Sequence, residues 1–311
     1  TLLRSQADDD YAVIELGANH IGEIAYTTQL VKPDIALVNN VAAAHLEGFG
    51  SIEGVKQAKG EIYQGLSVGG VAIVNLDSQG DALWQSVLAD KKVLTFSQSN
   101  TQADFYASNI KLNEEGKASF TLHLAEDEQE IELSLGIIGQ HNVANAIAAS
   151  IIALQMDATI DEIQSGLLHL SKVKGRVDVE QLSQSIKLID DSYNASVPAM
   201  KAAVDLLSAF QGQRWLILGN MAELGEESLA LHRQVGEHAA PQKFEHVLTY
   251  GADAKVISDL CDGSHFETHQ DMIDYIKQHL DQTVSENHTI LVKGANGARM
   301  FEVAAALKEY F

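Results

Sequence analysis

The sequence predicts an α/β protein of two domains, each built around a largely parallel sheet. Three observations lead to this prediction. The chain has 311 residues, whereas one domain typically has about 100 to 200. Apolar runs of strand length recur and alternate with helical patterns, as they do in parallel βα units. A short basic, glycine-containing segment at 172–176 separates two such series.

The first domain is predicted to span residues 1–173. Between 105 and 135 apolar and polar residues alternate, which is typical of antiparallel strands. We therefore expect a mainly parallel sheet with a small antiparallel part, covered by helices. The predicted parallel strands are 11–16, 35–38, 71–76 and 93–96, and the helices that close the domain are 142–156 and 160–170.

The second domain is predicted to span residues 174–311. Buried-strand candidates at 186–189, 215–218, 247–250 and 290–292 are separated by helical patterns of ordinary length. This order is typical of a doubly wound, Rossmann-like domain.

Composition narrows the class of protein. The 43 acidic and 21 basic residues give a net charge of -22, which argues against a nucleic-acid partner because phosphate binding needs a basic face. The single cysteine, Cys261, fits a reducing compartment. Without a signal peptide or an apolar run near the roughly 20 residues that span a bilayer, a cytoplasmic protein without membrane insertion is expected. A monomer is the expected oligomeric state.

Polar residues after predicted strands are the first candidates for function, because open α/β sheets bind ligands at the carboxyl ends of their strands. In the first domain these include Glu15 and His45. A carboxylate at a sheet edge suits Mg²⁺, although imidazole is a less usual partner. From the residues alone, capping or solvated loop roles remain open for both.

Two basic residues can be interpreted in two ways. Lys59 lies on a helical pattern and by composition is a surface lysine. Arg176, next to Gly175, can bind phosphate oxygens through two hydrogen bonds, but surface arginines are commoner than phosphate clamps.

Three loops of the second domain follow its strands, at 190–195, 219–225 and 293–297. The first has an alternative interpretation as a helix N-cap with Pro198 in the first turn, which does not account for the whole polar run. Together the loops predict a binding face. No Gly-x-Gly-x-x-Gly follows a strand and no Gly-x-x-x-x-Gly-Lys-[Ser/Thr] occurs, so neither a dinucleotide site nor a complete triphosphate site is predicted.

Five segments in order resemble the Mur ligases, and within that family the branch that adds D-alanyl-D-alanine. The resemblance runs through essentially all 311 residues. Each segment alone is a weak signal, and the five in order are a strong one. They are 15–20, 44–50, 139–146, 191–195 and 219–225.

The resemblance implies ATP and two Mg²⁺ sites. Glu15 and His45 correspond to metal ligands, and Lys59 to a lysine whose carbamylation makes it a ligand for the second ion. Catalytic roles are implied for Lys59, Arg176 and Asp191, of which the last two bring the second domain onto the nucleotide. The residues implied in nucleotide binding, with Asn142 nearest the adenine, are Asn75, Asp77, His141, Asn142, Asn145 and Arg176.

The resemblance also implies that the second domain binds the incoming D-alanyl-D-alanine. Asn220 stands where this branch usually has Asp, and Lys-Gly-Ala-Asn at 293–296 stands where it has Lys-Gly-Ser-Arg. These differences concern substrate contacts and leave the fold prediction unchanged. The residues implied in substrate binding are Asn19, His20, Tyr193, Asn194, Glu223 and Lys293.

The implied activity is ATP-dependent ligation of D-alanyl-D-alanine to UDP-N-acetylmuramoyl-tripeptide through an acyl phosphate. By resemblance the chain begins after the UDP-sugar domain, so that residues 1–173 are a truncated central ATPase domain without its first strand and phosphate loop. Little or no ligase activity is therefore expected of these 311 residues alone.

Two alternatives remain. A folylpolyglutamate-synthase-like ligase shares the ATPase plan, but the loops 191–194 and 221–225 argue against it. The second alternative is a non-catalytic binding module derived from a Mur ligase. The gene sequence upstream of the Thr1 codon distinguishes such a module from an excised enzyme.

Overall fold

Two six-stranded sheets organise the chain. The computed structural model describes residues 6, 8–42, 46–78, 81–124, 128–170, 173–283 and 285–311. The chain divides into two units. One comprises Thr1–Ile110, Phe120–Leu133 and Val143–Ser165, and the other comprises Lys111–Ser119, Ser134–Asn142 and Gly166–Phe311.

The first sheet has the strand order β1-β2-β3-β4-β5-β6. Its first four strands are parallel, with Ile35 opposite Val71 and Phe96 opposite Phe105. The strands are β1 (Ile35–Val38), β2 (Val71–Asn75), β3 (Lys92–Ser97), β4 (Phe105–Leu112), β5 (Lys117–Leu124) and β6 (Gln129–Ile138). The helices are α1 (Glu23–Val31), α2 (Leu46–Phe49), α3 (Ile52–Gly60), α4 (Asp81–Leu88), α5 (Asn142–Gln155) and α6 (Ile160–Leu168).

Strands β5 and β6 run in the antiparallel sense. Thr121 donates a hydrogen bond to Glu132, and His123 contacts Glu130, so the partner's number falls as the residue number rises. β2 is buried on both faces, as continuous apolar strands of parallel sheets are. The predicted mixed sheet, mainly parallel with an antiparallel part, is confirmed.

The predicted strand at 11–16 is wrong. These residues have no regular secondary structure, and Tyr11 and Val13 are 65% and 85% exposed. An extended segment becomes a strand only where a neighbour accepts and donates its backbone hydrogen bonds. In the described part of the chain no strand pairs with this segment, because the first sheet begins at β1, whose neighbour is β2.

The second sheet has the order β11-β10-β9-β12-β8-β7. All neighbours are parallel except the edge strand β7, which is antiparallel to β8. The strands are β7 (Asp178–Gln181), β8 (Ile186–Asp191), β9 (Gln213–Gly219), β10 (His246–Tyr250), β11 (Ser264–Phe266) and β12 (His288–Lys293). The helices are α7 (Val197–Ser208), α8 (Ser228–Ala239), α9 (Lys255–Leu260), α10 (His269–Gln282) and α11 (Phe301–Tyr310).

Helices cover both faces of this second sheet. On one face Leu188 and Ile290 pack with Ile276 of α10 and Val303 of α11, and on the other face α7 packs on β9 and β12. Successive residues of a strand point to opposite faces, so the continuous apolar runs are buried on both sides. The predicted doubly wound domain is confirmed.

The longest described helices have 14 residues. Among the described residues no helix combines the length and the apolarity that a bilayer crossing needs.

Candidate functional site

The loop that precedes α1 carries several of the predicted site residues. Glu15, Asn19 and His20 are exposed, and the backbone N–H groups of Asn19 and His20 donate to Oε2 of Glu23 at 2.8 and 3.3 Å. The loop lies directly over Gly48, where a Cβ atom would collide with the carbonyl oxygen of Asn19. A glycine is therefore needed at position 48 for this close approach.

Lys59 lies in the last turn of α3 and is half-buried. Burial lowers the pKa of its amine, and the negative charge of Glu15 opposes part of that change. The structure thus places the carboxylate of Glu15 within electrostatic reach of Lys59. The third predicted metal ligand, His45, lies outside the described residues. Among the described residues no cluster of three His, Cys, Asp or Glu side chains could hold a metal ion.

Glu61 is a buried carboxylate beside this region that the sequence analysis missed. Its side chain accepts hydrogen bonds from the backbone N–H groups of Gly22 and Ala25 at the start of α1. One signal was available in the sequence, because Glu61 continues the three-residue spacing of the buried residues Val55 and Ala58. A carboxylate on a buried stripe needs partners, and here backbone donors provide them.

Polar residues meet at the carboxyl edge of the first sheet. Asn75, at the end of β2, donates from Nδ2 to the carbonyl oxygen of Asn39 at 2.8 Å and accepts from the N–H of Asp77 at 2.8 Å. Asp77 accepts in turn from Ser97 Oγ at 2.5 Å, beyond β3. Asn39 Nδ2 donates to Asn145 Oδ1 of α5 at 2.7 Å.

This network brings Asn75, Asp77 and Asn145 of the predicted nucleotide set to one edge. It also adds Asn39, one of the polar residues at the end of a predicted strand, and Ser97, which the sequence analysis did not select. Because Asn75 is only 5% exposed and its side chain bonds within the protein, it shapes this edge by holding the turns after β1 and β2.

Two other predicted nucleotide residues lie around the start of α5. Burial lowers the pKa of His141, with a smaller opposing effect of Asp191, so its imidazole is mainly neutral near pH 7. Asn142 is buried and donates from Nδ2 to the carbonyl oxygen of Ile138 at 2.8 Å. That hydrogen bond ties the first residue of the helix to the end of β6.

The predicted binding loops of the second unit share one sheet edge. β9, β12 and β8 are adjacent and parallel, so the loops after them emerge side by side. The loop after β9 is attached to its neighbours by Asn220, which accepts from the N–H of Ala254 through Oδ1 and from the N–H of Ala295 through its carbonyl oxygen.

Lys293, at the end of β12, is 3% exposed. Its ammonium donates to Asp191 Oδ2 at 2.6 Å and to the carbonyl oxygens of Asn194 at 2.9 Å and Asp191 at 3.4 Å. Three predicted site residues are therefore joined in one buried ion pair and its hydrogen bonds. In this arrangement the lysine holds the loop after β8.

Arg176 and Tyr193 form a second pair at this edge. The guanidinium carbon of Arg176 lies 4.4 Å from the centre of the Tyr193 ring, and the N–H of Tyr193 donates to the carbonyl oxygen of Gly175 at 2.9 Å. Both side chains are exposed. Stacking on an aromatic ring orients a guanidinium and leaves its N–H groups able to bind an anion.

His232 holds the loop 219–225 through a hydrogen bond to its backbone. It is fully buried, accepts from the N–H of Met221 at 2.8 Å through Nε2, and its Nδ1 lies 2.7 Å from the carbonyl oxygen of Ser228. Both bonds require the neutral ring with its proton on Nδ1. Glu223 is exposed at the tip of this loop with a φ of 59°, an uncommon conformation for a residue other than glycine.

Two protein families match the chain. The Mur ligase middle domain matches residues 1–153, and the Mur ligase glutamate ligase domain matches residues 175–296. UDP-N-acetylmuramoyl-tripeptide--D-alanyl-D-alanine ligase of Escherichia coli is 46% identical over 310 residues, which cover 99% of this chain and 68% of that protein. The chain thus spans about two thirds of the length of this relative.

Solved structures agree with these matches. A crystal structure of MurF from Acinetobacter baumannii aligns with a TM-score of 0.91 and 31% identity, over 99% of this chain and 67% of that one. Folylpolyglutamate synthase of Thermotoga maritima aligns with a TM-score of 0.59 and 16% identity, over 90% of this chain and 62% of that one. The second likeness is one of fold alone.

Proposed function

This chain belongs to the Mur ligase family, and on that premise we propose that the protein that carries it joins D-alanyl-D-alanine to UDP-N-acetylmuramoyl-tripeptide with ATP. The observation that carries the proposal is the 46% identity over 99% of the chain to the Escherichia coli enzyme of that name. We assign the nucleotide and the metal ions to residues 1–173 and the incoming dipeptide to residues 174–311. The two family matches, 1–153 and 175–296, support that division.

We assign a Mg²⁺ site to Glu15, Lys59 and His45, of which the structure describes the first two. Glu15 offers an exposed carboxylate, and it lies close enough to Lys59 to oppose the lowering of that pKa. A lowered pKa increases the neutral fraction of the amine, which is the form that attacks CO₂, and the product is a carbamate with release of one proton. Carbamylated Lys59 and Glu15, with His45, would then supply the oxygen and nitrogen ligands. When bound, Mg²⁺ offsets negative charge on the phosphoryl oxygens.

The proposed reaction has two steps. The terminal carboxylate of the tripeptide takes the γ-phosphoryl group of ATP, which gives an acyl phosphate and ADP. The amine of D-alanyl-D-alanine then attacks the acyl carbon, phosphate leaves, and the nitrogen loses a proton. Asn75, Asp77, His141, Asn142 and Asn145 are assigned to the nucleotide, and the guanidinium of Arg176, held over Tyr193, is assigned to phosphate oxygens.

The dipeptide is assigned to the edge formed by the loops after β8, β9 and β12. Tyr193, Asn194 and the exposed carboxylate of Glu223 are the proposed contacts, because a carboxylate can pair with the ammonium of the dipeptide. The ion pair of Lys293 with Asp191 keeps Asn194 in place. Asn19 and His20 are assigned to the tripeptide substrate.

A thermal-shift measurement on the 311 residues tests the dipeptide assignment. D-Alanyl-D-alanine at about 100 times its Kd is expected to stabilise the protein by about 2.7 kcal/mol, which corresponds to roughly 5 °C or more for a unit of this size. L-Alanyl-L-alanine is the matched control and is expected to give no shift.

A thermal-shift measurement with folate tests the second candidate function, that of a folylpolyglutamate-synthase-like ligase. The likeness of fold to folylpolyglutamate synthase is the observation in its favour. A shift with folate and none with D-alanyl-D-alanine would replace the proposed function by that alternative.

A further inference from the structure

Glu61 joins two segments that are far apart in sequence. Its side chain is 6% exposed. The N–H of Gly22 donates to Oε1 at 2.8 Å and to Oε2 at 3.0 Å, and the N–H of Ala25 donates to Oε2 at 3.0 Å. The carboxylate therefore caps a helix whose N-cap residue, Gly22, lies 39 residues earlier.

The helix that it caps has no cap of its own. Gly22 is the N-cap of α1, with a φ of 95°, and has no side chain to accept a hydrogen bond. The first N–H groups of a helix need acceptors, and a negative charge there also interacts favourably with the helix dipole. Glu61 meets both requirements from a distant part of the chain.

The segment that carries Glu61 is fixed at two further points. Thr28 Oγ1 donates to the carbonyl oxygen of Ile62 at 2.9 Å. The hydroxyl of the fully buried Tyr63 donates to the carbonyl oxygen of Ile73 at 2.7 Å and accepts from the N–H of Val38 at 3.3 Å. The short 3-10 helix Glu61–Gly65 is thus held against α1 and against β1 and β2.

Both ends of this connection lead to proposed metal ligands. On one side Lys59 precedes Glu61 by two residues. On the other side the loop with Glu15, Asn19 and His20 runs directly into Gly22. The hydrogen bonds of Glu61 to Gly22 and Ala25 thus directly link the residue that follows α3 to the beginning of α1.

We propose that Glu61 is a positioning residue for the metal site, which fixes the distance between the loop of Glu15 and the amine of Lys59. The inference rests on the proposed function, because Glu15 and Lys59 are ligands only on that proposal. Residues that orient ligands from the second layer typically change metal affinity by about 10- to 100-fold when they are replaced.

A role in positioning and a role in stability alone predict different results for Glu61→Gln. Glutamine has nearly the same shape, but one of the two oxygens becomes an NH₂ group that would face a backbone N–H. A role in stability alone predicts a lower Tm and an unchanged metal affinity. A role in positioning predicts that metal affinity falls as well.

The test measures binding of Mn²⁺, a paramagnetic substitute for Mg²⁺, by electron paramagnetic resonance on the full-length protein in bicarbonate buffer. We expect Glu61→Gln to raise the Kd for Mn²⁺ by about 10-fold. Thr28→Val is the matched structural control, since it removes the neighbouring buried hydrogen bond to Ile62 and leaves the carboxylate in place. It is expected to lower the Tm with a Kd within about 2-fold of wild type.

Two results would overturn the inference. One is an equal Kd in Glu61→Gln and Thr28→Val, and the other is a wild-type protein that binds no Mn²⁺. Ligase activity is measured separately on the same samples. A protein that shows the shift in Kd but forms no amide product would refute the proposed function and leave the positioning role intact.

Discussion

Replacement of Lys59 by alanine is expected to reduce ADP formation by the full-length protein by at least about 100-fold. A metal ion typically supplies several kcal/mol of charge stabilisation in phosphoryl transfer, and each 1.4 kcal/mol or so is a factor of ten in rate. Carbamylated Lys59 is proposed to supply a metal ligand, and its burial favours the neutral amine that carbamylation needs. Initial rates at saturating ATP and Mg²⁺ measure the effect.

Lys56→Ala is the matched control for this prediction. Lys56 lies on the same helix, where its half-buried side chain places the ammonium 3.8 Å from the exposed carboxylate of Glu53, and ion pairs at this helical spacing contribute about 0.5 kcal/mol. Its rate is expected to stay within about 2-fold of wild type. Added acetate should partly restore the rate of ADP formation by Lys59→Ala, because it supplies carboxylate oxygens in the space left by the side chain. A Lys59→Ala variant as active as Lys56→Ala would exclude Lys59 from the metal site.

Lys293→Met is expected to lower the free energy of unfolding of the second unit by about 3 kcal/mol. The substitution keeps an apolar stem of similar length but leaves the carboxylate of Asp191, which is 16% exposed, without the ammonium 2.6 Å away. Removing one member of a buried pair is costly because the other charge stays buried. Urea unfolding followed by far-ultraviolet circular dichroism measures the change.

The origin of this loss can be tested with a second substitution. Asp191→Asn added to Lys293→Met removes the uncompensated charge, so part of the stability should return. Lys255→Met, at an exposed lysine of the same unit, is expected to stay within about 0.5 kcal/mol of wild type. If Lys293→Met lowered the free energy of unfolding no more than Lys255→Met does, the ion pair with Asp191 would not hold the loop after β8.

Strands buried on both faces were predicted correctly from the sequence. In β2, β9 and β12 nearly every residue is buried, so the runs are continuous and unmistakable. The short edge strands β7 and β11 were missed because half-exposed residues give no such run. Conversely, apolar residues at 11–16 predicted a strand that the described chain does not pair, since a pattern in one segment carries no information about its neighbour.

At the candidate site, the sequence indicated which polar residues lie at strand ends, but not which groups they form hydrogen bonds or ion pairs with. The adjacency of the three loops in the second unit followed from the strand pattern. By contrast, the three acceptors around the Lys293 ammonium and the capping of α1 by Glu61 depend on contacts across about 40 to 100 positions. Such contacts are fixed by tertiary packing, which spacing along one chain does not reveal.

We propose that this chain belongs to a ligase that uses D-alanyl-D-alanine. Mass spectrometry can identify the products that the full-length protein forms from ATP, Mg²⁺, UDP-N-acetylmuramoyl-tripeptide and D-alanyl-D-alanine. We expect a UDP-linked pentapeptide in equal amount to ADP, and without the dipeptide we expect no pentapeptide and at most about one ADP per protein molecule, because the first step alone releases ADP. An active protein that forms no pentapeptide, or that extends folate with glutamate instead, would contradict it.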